Sequence, residues 1–494
     1  LDYVDLSIFK VDMGAANLVS PAAARRYQAV PVAYLDERTI LLAMADPTNI
    51  LAVDDVAMMT GLEVNRAVTS PEDIDSLLAQ LGRIDEAIKD EAEDEPTELE
   101  VPDLRESADD APVIKLVHSI IADAVQRGAS DIHFDPAERE TRVRFRVDGV
   151  VSDSTTVPRR MVPGVVSRIK IMSELDISES RRPQDGRMGL KVDGRQVDIR
   201  VLTMPTVNGE SVVMRILDKE SVVMDLDALG MADDERARFG KAIGRSYGAV
   251  LVTGPTGSGK TTTLYAALKS LNTPDKTLIT IEDPVEYQLD GVKQVQVNTK
   301  VDLTFATGLR SMLRADPNII MVGEIRDRDT AQIAVEAALT GHLVLSTLHT
   351  NDAPTAITRL VEMGIEPFLV ASSIECVVAQ RLARKLCSAC RAETKISKAT
   401  LAENGFSVSA AISAYEAVGC RRCGGSGYKG RTGLYETMPI SDEIRSLVLQ
   451  RASANEVAEM AASQGMRRLR DDGLEKVKQG LTTVEEVVRV TGSN

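Results

Sequence analysis

The segment Gly254-Pro255-Thr256-Gly257-Ser258-Gly259-Lys260-Thr261 carries the spacing GxxxxGK[ST]. An apolar run at 250–253 precedes it and a helical run at 262–271 follows. Strand, loop, helix is the context in which this spacing holds phosphate. The glycines let backbone N–H groups close around an anion, and the helix N-terminus adds positive potential. Lys260 is placed to reach the outer phosphates of a nucleotide and Thr261 to ligate Mg²⁺. Thr262 joins the same cradle on the first turn of the helix.

Moving a phosphoryl group also needs carboxylates for metal or water, and cations for the developing charge. Segment 316–324 (DPNIIMVGE) puts Glu324 at the C-terminal end of an apolar strand, as Gly-Glu where Asp is usual. Segment 280–286 (TIEDPVE) adds Glu282, Asp283 and Glu286 after another strand. We expect Glu286 to polarise the attacking water and Glu324 to work on the Mg²⁺ side, although the residues alone do not fix that order. The plain alternative is a set of solvated loop acids. His342 and His349 bracket 343–348, either to sense a γ-phosphate or as satisfied strand ends. Arg200 and Arg215 lie symmetrically about a loop at 205–210, which makes them cross-strand neighbours. Two close guanidiniums suit a phosphate between them; salt bridges to Asp198 or Glu210 are the other reading.

Cys387, Cys390, Cys420 and Cys423 form two CxxC pairs. Four thiolates make a closed tetrahedral set, the mark of structural Zn²⁺; a redox CxxC is the alternative. Arg381, Arg384, Lys385, Arg391, Arg421 and Arg422 are near in sequence and are expected to offset the charge of that centre. Cys376, in an apolar run, reads as core.

These groups need elements to hold them. The chain has 494 residues and a net charge of −16, with 44 % hydrophobic and only 3 % aromatic residues and no Trp. That length suggests about three domains. The charge and the lack of aromatics argue against a nucleic-acid partner. Residues 85–110 hold 13 acidic and two basic residues, a net −11. This reads as a self-repelling linker, with an acidic docking tail as the alternative. No run of 18 apolar residues and no secretory signal is seen. The first residue is Leu1, as in a trimmed or partial sequence. Few cysteines, mostly in CxxC pairs, suit a reducing compartment.

Residues 1–82 read as a small α/β module, with strands at 29–34 and 39–44 and a helix closed by Gly61. A helix at 113–125 opens a strand-rich second domain at 112–230, with hairpin signals at Asp148-Gly149 and Asn208-Gly209. From 231 to 494, unalternated apolar strands at 249–253, 278–281, 319–322 and 343–346 alternate with helices. That is the pattern of a parallel sheet covered on both faces. A helical tail follows Asp442.

With its four boxes in order, 254–261, 280–286, 316–324 and 340–349, the sequence resembles the secretion ATPases of bacterial type II secretion and type IV pilus assembly. Segments 182–187, 205–210 and 427–431 also resemble that family's signatures. The resemblance implies an α/β multidomain protein: a RecA-like ATPase core with a tetracysteine zinc element, a PAS-like α+β second domain and an N-terminal docking module. It implies ATP, Mg²⁺ and Zn²⁺ as cofactors, a homo-hexameric ring with nucleotide between the domains, and hydrolysis that moves pilin or pseudopilin subunits through an inner-membrane platform protein. Arg200 and Arg215 correspond to the family's arginine fingers, Glu286 to its catalytic glutamate and Glu324 to its Walker B glutamate. Retraction members lack the zinc element, so the chain looks like an assembly or secretion motor. A cytoplasmic location follows, at the inner face of the membrane through a docking partner. The alternatives are a nucleotide-gated scaffold with little turnover, responding to cyclic di-GMP, and a RecA-like nucleic-acid motor.

Overall fold

In the computed structural model, residues 3–78 (except 7, 8, 10, 17, 20 and 37), 111–192, 195–218 and 225–492 are described. The acidic segment 85–110 lies outside them. The chain divides into two compact units, Leu1–Ser221 and Val222–Asn494.

The first unit holds two sheets. Strands β1 (Ala29–Tyr34), β2 (Thr39–Met44) and β3 (Glu63–Val68) lie in the order 1-2-3. β1 and β2 form an antiparallel hairpin. β2 and β3 are parallel, joined by helix α1 (Ile50–Thr60). Asn49 caps that helix and Gly61, at φ +66°, ends it. The second sheet is wholly antiparallel, in the order β6-β5-β4-β9-β8-β7. Its strands are β4 (Ala129–Pro136), β5 (Glu140–Val147), β6 (Val150–Pro158), β7 (Gln184–Val192), β8 (Arg195–Thr206) and β9 (Gly209–Asp218). Strict alternation decides which face each residue takes. Val143 and Phe145 of β5, and Val197, Ile199 and Val201 of β8, are buried, while the arginines between them face out. Helix α2 (Ala111–Gln126) buries Leu116, Val117, Ile120 and Ile121 in the same core. That core continues into Ile40 and Leu42 of the first sheet and Val56 of α1, and Thr155 donates to Asp12 at 3.0 Å. The two sheets therefore share one interior within this unit.

The second unit is built on a seven-stranded sheet ordered β12-β11-β13-β14-β10-β15-β18. The strands are β10 (Gly248–Thr253), β11 (Leu278–Glu282), β12 (Val292–Gln296), β13 (Ile319–Val322), β14 (Leu343–Leu348), β15 (Ile374–Leu386) and β18 (Tyr428–Pro439). All pair in parallel except β18, which runs antiparallel to β15. Every residue of β10, β11, β13 and β14 is buried. Ala249 and Leu251 point into one core, and Val250 and Val252 into the other. Such strands need apolar residues at each position, which is why they show no alternation. Between β15 and β18 the chain makes an excursion with its own two-stranded sheet, β16 (Ala392–Ile396) and β17 (Ile412–Glu416). Four helices close the chain after Asp442. No helix among the described residues is long and apolar enough to cross a membrane.

Candidate active site and metal centre

The phosphate loop leaves β10 and enters the helix Lys260–Leu271. Gly254, Gly257 and Gly259 take φ of +152°, +79° and +87°. A methyl at Gly254 would lie 2.5 Å from the Gln380 carbonyl oxygen, and one at Gly259 would lie 2.8 Å from Gln380 Nε2. The backbone oxygen leaves no room for a side chain at Gly254, and the left-handed φ disfavours one at Gly259. Gly259 sits at the N-cap without a capping side chain, so the first-turn N–H groups stay available to an anion. Lys260 is buried and donates from Nζ to the carbonyls of Gly254 at 2.8 Å and Pro255 at 3.0 Å. Burial pushes its pKa down to about 8, against the pull of the Glu324 charge. Thr261 is exposed, Thr262 half-buried, and Thr263 donates to Gln380 Oε1 at 2.8 Å.

Glu324 follows β13 at the same edge of the sheet. Ser346 and Thr347 fix the strand end by donating to the carbonyls of Val322 and Gly323, both at 2.8 Å. Its carboxylate accepts from Arg326 Nη2 at 2.5 Å and meets His349 Nε2 at 3.0 Å. Burial would raise its pKa, but the hydrogen bonds from Arg326 and His349 hold it below the usual value. Arg326 also lies 3.9 Å from Asp283. Glu324, His349, Arg326 and Asp283 thus form one cluster, and Glu324 acts on Lys260.

The remaining acids divide. Glu282 is buried and occupied by protein: Tyr265 Oη donates at 2.5 Å, Thr280 Oγ1 at 2.6 Å and Gln294 Nε2 at 3.1 Å. Burial and the Glu282 charge push the Tyr265 phenol far up, and backbone N–H groups of Tyr287 and Glu286 face its oxygen. Glu282 therefore braces the turn that carries Glu286, itself half-buried. The histidines also separate. Gly248 N donates to His342 O at 3.1 Å, which places His342 at the N-terminal edge of the sheet, away from the loop. Its Nδ1 lies 3.0 Å from the Ala337 carbonyl, a satisfied strand end. His349 alone joins the loop edge.

In the first unit Arg200 and Arg215 are directly paired on β8 and β9. Glu210 is taken by Lys170 at 2.6 Å, and Arg215 pairs with Asp131 at 3.2 Å. Asp131 is a partner of Arg215 that the sequence reading did not name. Arg187 on β7 lies opposite Arg200, and Arg146 on β5 opposite Asp131. A row Arg146–Asp131–Arg215–Arg200–Arg187 thus crosses five strands. Arg187, the last residue of segment 182–187, was not singled out as a site residue from the sequence, although its place in an alternating strand was the available signal.

The four sulfurs of Cys387, Cys390, Cys420 and Cys423 lie within 4.8 Å of one another. Cys387–Cys420 is 3.9 Å, and Cys390–Cys423 and Cys420–Cys423 are 3.8 Å. Zn–S bonds of ~2.3 Å in a tetrahedron give S···S edges of about 3.8 Å; a disulfide needs ~2.05 Å. Backbone N–H groups of Cys420 and Gly427 donate to Cys423 Sγ at 3.1 and 3.2 Å. The donor set and spacing fit a tetrahedral cation. Two of the cations expected around it are used elsewhere. Arg384 binds Glu486 at 2.9 Å and lies over the Tyr428 ring. Arg381 turns to the phosphate loop, where Nη1 donates to Gln380 O at 3.0 Å and Nη2 to Asn351 O at 3.0 Å. Cys376 is fully buried.

A parallel sheet with a phosphate loop after one strand, and a carboxylate after a neighbouring strand, defines a P-loop nucleotide hydrolase. The Type II/IV secretion system protein family matches residues 106–489, and the MshEN domain matches residues 1–88. The chain belongs to that family of secretion ATPases. It is 47 % identical to the type IV pilus assembly ATPase PilB of Myxococcus xanthus, over 98 % of this chain and 88 % of that protein. It is 53 % identical to a type II secretion system protein E of Pseudomonas aeruginosa, over 79 % of this chain and 78 % of that protein. Among solved structures, the pilus retraction motor PilT with bound ADP aligns with a TM-score of 0.51 and 26 % identity, over 76 % of this chain and 96 % of that one.

Proposed function

We propose that the chain hydrolyses ATP in loop 254–261 and that hydrolysis powers pilus assembly or type II secretion. The observation that carries this is the placing of Glu324, between Arg326 and His349, at the same sheet edge as Lys260. The loop N–H groups and Lys260 would bind the phosphates, with Lys260 leaving its two carbonyl partners to do so. Thr261, with Glu324 through water, would hold Mg²⁺, which neutralises charge on the transferred group. Glu286, carried on the Tyr265–Glu282 brace, would orient and deprotonate the attacking water. Arg200 and Arg215 would stabilise the transferring phosphate as arginine fingers.

We assign Zn²⁺ to Cys387, Cys390, Cys420 and Cys423 in a structural role. A homo-hexamer is the working form in this reading, acting at the cytoplasmic face of the inner membrane through a platform protein and a docking protein. Residues 1–82 would serve as the docking module, 83–111 as a linker, 112–230 as the second domain and 231–494 as the motor. Steady-state ATP hydrolysis of Lys260→Ala and Glu286→Gln tests the motor against the scaffold. Turnover equal to wild type in both variants rejects ATP hydrolysis at this loop.

A further inference from the structure

β15 is hydrogen-bonded to β10, with Ala379 opposite Thr253. Gln380 and Arg381 therefore stand level with the start of the phosphate loop. Arg381 is only 8 % exposed. Its guanidinium donates to three neutral oxygens: Gln380 O at 3.0 Å, Asn351 O at 3.0 Å and Asn351 Oδ1 at 3.2 Å. A methyl on Gly254 would come within 3.3 Å of its Nη1, so the charge borders the loop itself.

That charge has no carboxylate in ion-pairing contact among the described residues. Asp352 and Glu436 act on it from farther away, and both are occupied. Asp352 caps the next helix by accepting from Thr355 N at 2.8 Å. Glu436 accepts from Ala353 N at 2.8 Å and Leu469 N at 3.3 Å. Burial lowers the Arg381 pKa, and its charge in turn lowers that of Lys260. Two buried cations thus flank a loop whose N–H groups also present positive ends. A guanidinium held only by carbonyls is costly to bury, and a polyanion in the loop offsets both charges at once.

We propose that Arg381 is a second phosphate-binding cation of this site, selective for a nucleoside triphosphate over a diphosphate. Through Asn351 it also ties the turn that carries His349 to the state of that phosphate. This rests on the reading of loop 254–261 as the ATP site.

The test is equilibrium binding of fluorescent ATP and ADP analogues with Mg²⁺ to the full chain, together with kcat. Arg381→Met is expected to weaken ATP binding about tenfold or more and ADP binding less. Arg381→Lys should recover most of the difference. Asn351→Ala should leave affinity within about threefold and lower kcat. A folded Arg381→Met chain that keeps the wild-type ratio of ATP to ADP affinity overturns the proposal. If Arg381→Met does not fold, Arg381→Lys decides: a retained preference for ATP supports the charge role, and a lost preference rejects it. Lys260→Ala is the separate control. Wild-type ATP affinity in that variant rejects the ATP site itself, whatever Arg381 does.

Discussion

Glu282, Glu286 and Glu324 are the same kind of residue in three different environments, and the environments give them different work. Glu324 is held charged by Arg326 and His349. Glu282 has its oxygens filled by Tyr265, Thr280 and Gln294. Glu324→Gln and Glu286→Gln should each lower kcat about a hundredfold or more, with nucleotide still bound. Glu282→Gln should instead lower the thermal midpoint, by about 1–3 kcal/mol of stability, because an amide nitrogen there faces donors it cannot accept from. Binding and melting curves on the three purified variants separate the roles. The sequence showed the acids and the loop they belong to, since spacing and strand ends are local. It did not show which acid is satisfied inside the protein. That depends on Tyr265 and Gln294, which reach Glu282 from other elements. His342 and His349 looked equivalent for the same reason: they end one strand, and only the sheet direction shows that these are opposite edges.

At the scale of elements, the parallel strands were legible because full burial forces an unbroken apolar run. Leu345, wholly buried in β14, should cost about 2–5 kcal/mol on change to Ala, measured by denaturant unfolding. The tetracysteine excursion was equally legible, but the partners of its neighbouring arginines were not, because they come from distant elements, Glu486 of the last helix for Arg384 and Asn351 of the loop after β14 for Arg381. Glu486 is the clearest case. Burial opposes its charge, yet Arg489 and Arg384 bring its pKa down to about 2. A carboxylate with a depressed folded pKa gives stability that is present above the unfolded value, ~4.3, and lost as pH falls through 2. The stabilisation is on the order of 3 kcal/mol at ~1.4 kcal/mol per pKa unit, and Glu486→Gln should flatten the loss of stability between about pH 4.5 and 2, followed by circular dichroism. Removal of the metal is a second test at this scale. A zinc-chelating dye should extract one equivalent per chain, and the thermal midpoint should fall when it does.

For the whole molecule, the charge that first argued against nucleic acid is concentrated in 85–110. The remaining positive charge has local tasks, in the arginine row of one unit and the phosphate loop of the other. Single-stranded DNA should therefore show no salt-dependent binding by fluorescence anisotropy. Arg200→Ala with Arg215→Ala should lower kcat about a thousandfold while nucleotide affinity stays close to wild type. β15 joins two of the sites described above, since Arg381 and Cys387 stand on one continuous backbone at opposite ends of a six-residue stretch. At ~3.3 Å per residue that stretch is about 20 Å long. It has the dimensions of a lever: a tilt of about 10° at the phosphate end carries the cysteine knuckle roughly 3.5 Å. The pairing of β15 with β18, interrupted by a register shift between Arg384 and Leu386, supports the arm, and a metal on the four cysteines would clamp its tip.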